Sequence, residues 1–264
     1  MRHQPRRRFG QHFLTDESVI AAIVSAIAPQ RHDLVVEIGP GLGALTRPLA
    51  RQLDHLQVVE IDRDIVARLR TMFPPERVTV HEGDALEFDF SALGAELRVV
   101  GNLPYNISTP LLFHLAACAS RLRDIHVMLQ KEVVERMVAA PSGPEYGRLS
   151  VMLQYRFRME CIIAAPPSAF RPEPKVESAV VRMVPYARLP HPARDEELFA
   201  RVVAAAFMHR RKTLRNALRE YFCAADYGRI GIDAGLRAQN LGVEDFVRLA
   251  DEVLARQEIR QETG

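Results

Sequence analysis

Five short β-rich runs, at residues 34–38, 56–61, 78–81, 97–100 and 126–129, alternate with helical stretches through the first half of the chain. Successive strands joined by helical crossovers pair in parallel, so the alternation predicts a parallel sheet with helices on both faces. Two later runs, 161–165 and 179–184, can complete the sheet, with antiparallel pairing. A helix is expected over residues 17–28. Thr15-Asp16-Glu17-Ser18 supplies the acids and hydroxyls of a helix start, and Pro29 stops it.

The stretch 186–195 contains two prolines, a histidine and no hydrophobic period, and reads as a linker. Beyond it, residues 196–221 and 243–256 read as helices, with Gly228, Gly231, Gly235 and Gly242 punctuating the region between them. The expected organisation is an α/β domain over residues 1–186 and a small all-helical domain over 187–264.

The first run ends in Glu37-Ile38-Gly39-Pro40-Gly41-Leu42-Gly43, and a helix follows. Glycines here let the backbone turn sharply and approach a ligand without a Cβ in the way. Two acids sharpen the reading. Glu60 ends the second run, where a carboxylate can take both hydroxyls of a ribose. Asp84, in Glu82-Gly83-Asp84-Ala85, follows the third run, at a height where it can accept from an adenine amine. Asp62 and Asp64 lie nearby as helix-capping acids. A dinucleotide site usually shows G-x-G-x-x-G and seats a pyrophosphate on the helix N-terminus. Here the spacing is G-x-G-x-G behind an acid. That combination favours S-adenosylmethionine, a cation without phosphate, over a nicotinamide dinucleotide.

The fourth run leads into Gly101-Asn102-Leu103-Pro104-Tyr105-Asn106, with Thr109 and Pro110 as the expected N-cap and first turn of the next helix. The loop therefore hangs at the carboxyl edge of the sheet. Its residue types suit methylation of an exocyclic amine. The amine of adenine is a poor nucleophile because its lone pair is delocalised into the ring. Two acceptors set against its N–H bonds, the Asn102 side-chain oxygen and the Leu103 carbonyl, favour a pyramidal nitrogen with a localised lone pair. Pro104 stiffens the chain that aims this carbonyl, and Tyr105 can stack on the base.

Other classes are disfavoured. There is no H-E-x-x-H, G-x-S-x-G or P-loop, and the nine histidines show no ligand spacing, so neither a catalytic metal nor a covalent enzyme intermediate is expected. Cys118, Cys161 and Cys223 are isolated, which fits a reducing cytoplasm rather than a disulfide framework. No apolar run is long enough to span a membrane. Arg6-Arg7-Arg8-Phe9 partly resembles a twin-arginine export signal, but the helix start at residues 15–18 interrupts the apolar region such a signal needs.

The net charge is only +2, yet the cations are clustered. Arg2, Arg6, Arg7 and Arg8 precede any acid. Arg210, Arg211, Lys212, Arg215 and Arg219 form a second group. Two basic clusters on a nearly neutral chain suggest a polyanion held at particular places.

Taken together, several stretches resemble the bacterial small-subunit (16S) ribosomal RNA adenine dimethyltransferases, the KsgA family. They are Phe9-Gly10-Gln11-His12-Phe13-Leu14, the Glu37 to Gly41 turn, Gly101 to Pro110, Leu129-Gln130-Lys131-Glu132-Val133, Tyr146-Gly147-Arg148-Leu149-Ser150, Pro167-Ser168-Ala169-Phe170, Pro174-Lys175-Val176 and Arg210-Arg211-Lys212-Thr213. The resemblance covers nearly the whole chain. It implies a Rossmann-like S-adenosylmethionine-dependent methyltransferase with a helical C-terminal domain. It further implies N6,N6-dimethylation of two adjacent adenosines near the 3′ end of 16S rRNA, in an immature small ribosomal subunit, with S-adenosylhomocysteine as product. By the same resemblance Gly39, Gly41, Glu60, Asp84 and Asn102 match cofactor contacts, as do His12 and Leu14; members of that family often carry Asn where this chain has His12. Phe170 matches an aromatic facing Tyr105 across the target base. Arg210, Arg211, Lys212 and Arg215 become rRNA contacts. A monomer is the default expectation. The alternatives are an assembly factor whose binding outweighs its chemistry, and an adenine methyltransferase acting on another RNA.

Overall fold

The computed structural model describes residues 12–262. Its elements run β1 (Phe13–Leu14), α1 (Glu17–Ile27), β2 (Val35–Ile38), α2 (Thr46–Gln52), β3 (Leu56–Glu60), α3 (Arg63–Met72), β4 (Val78–Glu82), β5 (Leu97–Asn102), α4 (Ser108–Ala117), β6 (Leu122–Gln130), α5 (Lys131–Val138), α6 (Arg148–Gln154), β7 (Phe157–Ala165), β8 (Phe170–Arg171), β9 (Ser178–Pro185), α7 (Glu196–Phe207), α8 (Leu214–Ala217), α9 (Ala224–Ile230) and α10 (Val243–Glu262).

The chain divides into two compact units. The first comprises residues 1–134 and 158–185, the second 135–157 and 186–264. The linker reading places one boundary at 186. In the structure the second unit also takes 135–157, because Tyr146, Val151 and Tyr155 bury their side chains in the helical core with Phe199, Val202 and Phe246.

In the first unit a seven-stranded sheet has the order β4-β3-β2-β5-β6-β9-β7. The pairs from β4 through β6 are parallel, and β9 lies antiparallel to β6. The central parallel strands β2, β3 and β5 are largely apolar on both faces. Val35, Val36, Val58, Val59, Val99 and Val100 are almost wholly excluded from solvent, as a sheet covered by helices requires. β1 and β8 form a separate two-stranded ribbon, with Leu14 opposite Phe170.

Helix α1 begins as its sequence indicates. Asp16 caps it, accepting from Ser18 N at 2.8 Å and Val19 N at 3.2 Å, and Ala28 ends it in the left-handed region. Helix α4 departs from the expected start. It opens at Ser108, one residue before Thr109, with Ile107 in the cap position and no side-chain cap. Ser108 instead turns its hydroxyl back onto the Tyr105 carbonyl at 3.0 Å, bracing the loop before it. The single helix expected over 196–221 is two, α7 and α8, parted by the basic segment 208–213.

Candidate active site

The strand order reverses between β2 and β5. They are hydrogen-bonded neighbours, but the chain reaches β5 only after building β3 and β4 on the other side of β2. Crossover helices leave a crevice at the carboxyl ends of strands at such a switch point. A cavity lies there, lined by Glu37, Gly39, Gly41, Glu60, Ile61, Asn102 and Tyr105, with His12, Phe13 and Leu14 of the N-terminal segment closing one side.

Two glycines are set by geometry. A Cβ on Gly101 would stand 2.4 Å from the Ile38 carbonyl oxygen, so only glycine lets β5 approach β2 here. Gly41 has φ +54°, and a Cβ there would meet the Phe13 ring at 3.0 Å.

The cavity's charge is one-sided. Glu37 and Glu60 line it, and among the described residues no Lys or Arg does. Glu60 is nearly buried and accepts from Asp62 N at 2.9 Å and Gly41 N at 3.4 Å. Burial raises its pKa above the usual carboxylate value, against the pull of these amides. Glu37 is more extreme. It is 1% exposed, and its Oε2 has no hydrogen-bond partner among the described residues. Burial, reinforced by the nearby Glu60 charge, pushes it up to about 8. A buried carboxyl oxygen without a partner, on a residue that lines a cavity, invites a cationic or hydrogen-bonding ligand.

The loop after β5 is tied at each residue. The Asn102 amide nitrogen donates to the His12 carbonyl at 2.9 Å. That bond fixes which end of the amide is nitrogen, and leaves Oδ1 as an acceptor for something else. Leu103 is buried, and its N–H donates to the Met128 carbonyl at 3.1 Å. Pro104 follows, and Tyr105 pairs its hydroxyl with Ser178 Oγ at 2.6 Å. Burial raises the Tyr105 pKa, so the phenol stays neutral.

The sequence-predicted residues His12, Leu14, Gly39, Gly41, Glu60, Asn102, Leu103, Pro104 and Tyr105 therefore meet around one cavity. Two others do not join them there. Asp84 lies two residues past the end of β4, outside the cavity lining, and accepts from Leu86 N at 2.9 Å. Phe170 is wholly buried in the core with Leu14, Ala169 and Val180. Its side chain is enclosed by that packing, and it is not among the residues that line the cavity. His12 occupies the neighbourhood instead, its ring stacked on Tyr105. In the second unit, Arg210, Arg211, Lys212 and Arg215 are exposed. Arg210 donates to the Pro144 carbonyl. Arg2, Arg6, Arg7 and Arg8 lie outside the described residues.

Sequence reasoning used Glu37 as the acid before the glycine turn but gave it no contact of its own, and it missed Ser178. An acid inside the apolar run Val35-Val36-Glu37-Ile38 was the available signal for Glu37. Ser178 lies far from Tyr105 in the chain and carries no local signal.

The model of the ribosomal RNA adenine dimethylase family matches residues 2–254. The chain belongs to this family. The small-subunit ribosomal RNA methyltransferase A of Thiobacillus denitrificans is 64% identical over 92% of this chain and 96% of its own length. That of Nitrosospira multiformis is 62% identical over 95% and 97%. Among solved structures, a dimethyladenosine transferase from Plasmodium falciparum is similar with a TM-score of 0.77 and 23% identity, covering 90% of this chain and 96% of its own. The 23S rRNA methyltransferase ErmE is similar with a TM-score of 0.71 and 24% identity, over 91% and 99%. These structures share the fold.

As a ribosomal RNA adenine dimethylase, the chain is an S-adenosylmethionine-dependent methyltransferase, and the cavity fits that cofactor. Its ammonium and sulfonium charges would meet a lining that, among the described residues, has two carboxyls and no Lys or Arg and would serve a pyrophosphate poorly. Glu37 offers an unused acceptor. Among the described residues no group of three or more His, Cys, Asp or Glu side chains is placed to hold a metal ion. No described helix is long and apolar enough to cross a membrane.

Proposed function

We propose that the chain dimethylates N6 of two adjacent adenosines near the 3′ end of 16S rRNA, within an immature small ribosomal subunit, acting as a cytoplasmic monomer. The observation that carries this reading is the Asn102 amide at the cavity, held by its nitrogen so that Oδ1 is left as an acceptor among the described residues.

S-adenosylmethionine, when bound, supplies an electrophilic methyl group on a sulfonium that leaves as a neutral thioether. The protein's part is to make the adenine amine a nucleophile and to aim it. Asn102 Oδ1 and the Leu103 carbonyl accept its two N–H bonds and localise the nitrogen lone pair. Tyr105, held at its rim by Ser178, stacks on the base. Glu60 takes the ribose hydroxyls and Glu37 the positive end of the methionine moiety. No strong base is needed, because the amine proton becomes acidic only as the new N–C bond forms. Arg210, Arg211, Lys212 and Arg215 hold RNA phosphates, which orients the substrate without reading sequence. Chemistry of this kind has no call for a metal.

Incubation with methyl-labelled cofactor and unmethylated small and large subunits tests the reading. Label on N6 of adenines in the small subunit is expected. Its absence with folded, cofactor-binding protein, or its confinement to the large subunit, overturns it. Asn102→Ala protein that still rescues subunit maturation in cells would favour the assembly-factor alternative.

A further inference from the structure

The face of Tyr105 is already taken in the free protein. The His12 imidazole stacks on it, with ring centroids 5.6 Å apart and planes 24° from parallel. His12 Nδ1 lies 2.8 Å from the Pro172 carbonyl oxygen, so the ring is latched as well as stacked. Tyr105 is itself pinned to Ser178. Stacked layers are separated by about 3.5 Å, so a base between two rings needs roughly 7 Å. His12 and Tyr105 leave no such gap. The Asn102 bond uses the His12 backbone carbonyl, so the imidazole plays no part in orienting the amide.

We infer that His12 is a specificity-determining residue: its imidazole holds the Tyr105 face as a stand-in for the target base, which enters by displacing it. The inference rests on the reading of Tyr105 as the base-stacking residue. A purine presents more stacking surface than a pyrimidine and displaces the imidazole more readily. Because only molecules with the face open accept a base, apparent RNA affinity is reduced by the open fraction. His12 also lines the cofactor cavity, which makes cofactor affinity the discriminating control.

The experiment compares wild type with His12→Ala and His12→Asn, neither of which can stack a ring. In both variants KM for unmethylated small subunits, measured at saturating cofactor, should fall about threefold to tenfold, with the cofactor Kd measured alongside by titration calorimetry. An RNA carrying 2-aminopurine at the target position should be quenched at correspondingly lower protein concentration. The ring protons of His12 in free wild type should be shifted upfield by Tyr105, and Tyr105→Leu should abolish that shift. A KM unchanged or raised in both variants overturns the inference, as does a cofactor Kd that changes in step with KM, or the absence of the upfield shift. If wild type methylates no small subunit, the proposed function fails instead, and the 2-aminopurine titration still reports on His12.

Discussion

Asn102 donates its side-chain amide to the backbone carbonyl of His12, 90 positions earlier in the chain, at 2.9 Å. The bond ties the N-terminal segment to the loop proposed to face the base. It leads to a first prediction. Asn102→Ala removes both the acceptor and the tie, and should lower kcat about 10²-fold or more, in the range seen when one transition-state hydrogen bond is lost. Asn102→Asp keeps an acceptor but cannot donate to His12, so it should lower kcat comparably while also loosening the segment. Single-turnover methylation with cofactor Kd measured in parallel checks both. An Asn102→Ala enzyme within threefold of wild type would exclude the proposed role.

Glu37 gives a second prediction, in pH. Its pKa in the folded protein, about 8, lies above the unfolded value of 4.5. The folded chain therefore holds an extra proton between these limits, and the free protein loses stability as pH rises from about 4.5 to about 8. At neutral pH the penalty is roughly 3 kcal/mol. Glu37→Gln cannot ionise. It should match wild type near pH 5 and exceed its melting temperature by about 5 °C or more at pH 8, without cofactor. The same variant should bind S-adenosylmethionine more weakly. Calorimetric melting at the two pH values checks this; a difference that does not grow with pH contradicts it.

Much of this site is legible in the chain because it is built from local signals. The turn after Glu37 and the Asn102 loop each follow a β-rich run, and parallel pairing of those runs brings their ends together without further information. Asp16 caps α1 through bonds spanning two or three residues. What was illegible depends on distant packing. Phe170 reads as a pocket wall by resemblance, and only its packing with Ala169 and Val180 shows it in the core. Residues 135–157 carry helical periodicity that does not say which core they join; Tyr146 and Tyr155 decide it by burying against helices beyond residue 195. The His12–Tyr105 stack joins two segments whose proximity no sequence period encodes.

A third prediction concerns the exposed segment between α7 and α8. Arg210 is anchored to the Pro144 carbonyl, and Arg211 and Lys212 project beside it, all exposed. If Arg211 and Lys212 neutralise one phosphate each, replacing both by Ala should reduce the slope of log K against log salt for subunit binding by roughly 2. Exposed substitutions of this kind should leave the melting temperature nearly unchanged. Filter binding across a salt series measures the slope. An unaltered slope removes these residues from the RNA contact.

The fourth prediction lies away from the cavity, in β6. The His126 side chain is 1% exposed, neither ring nitrogen has a hydrogen-bond partner among the described residues, and Nδ1 is 3.7 Å from Asp124 Oδ1. Burial pushes its pKa down to about 4, against the attraction of Asp124. The unfolded chain takes up the proton near pH 6.5 and the folded chain near 4, so stability is lost as pH falls through this window, by roughly 3 kcal/mol in all. Glu37 acts in the opposite direction over part of the same range, so the test is a difference between variants. His126→Leu buries no titratable group and removes two unpaired nitrogens. Its urea midpoint relative to wild type should rise steadily from pH 7 to pH 5. A difference that stays flat across that range would mean that folding does not shift the His126 pKa, and one that falls toward pH 5 would mean that Asp124 holds it as a cation.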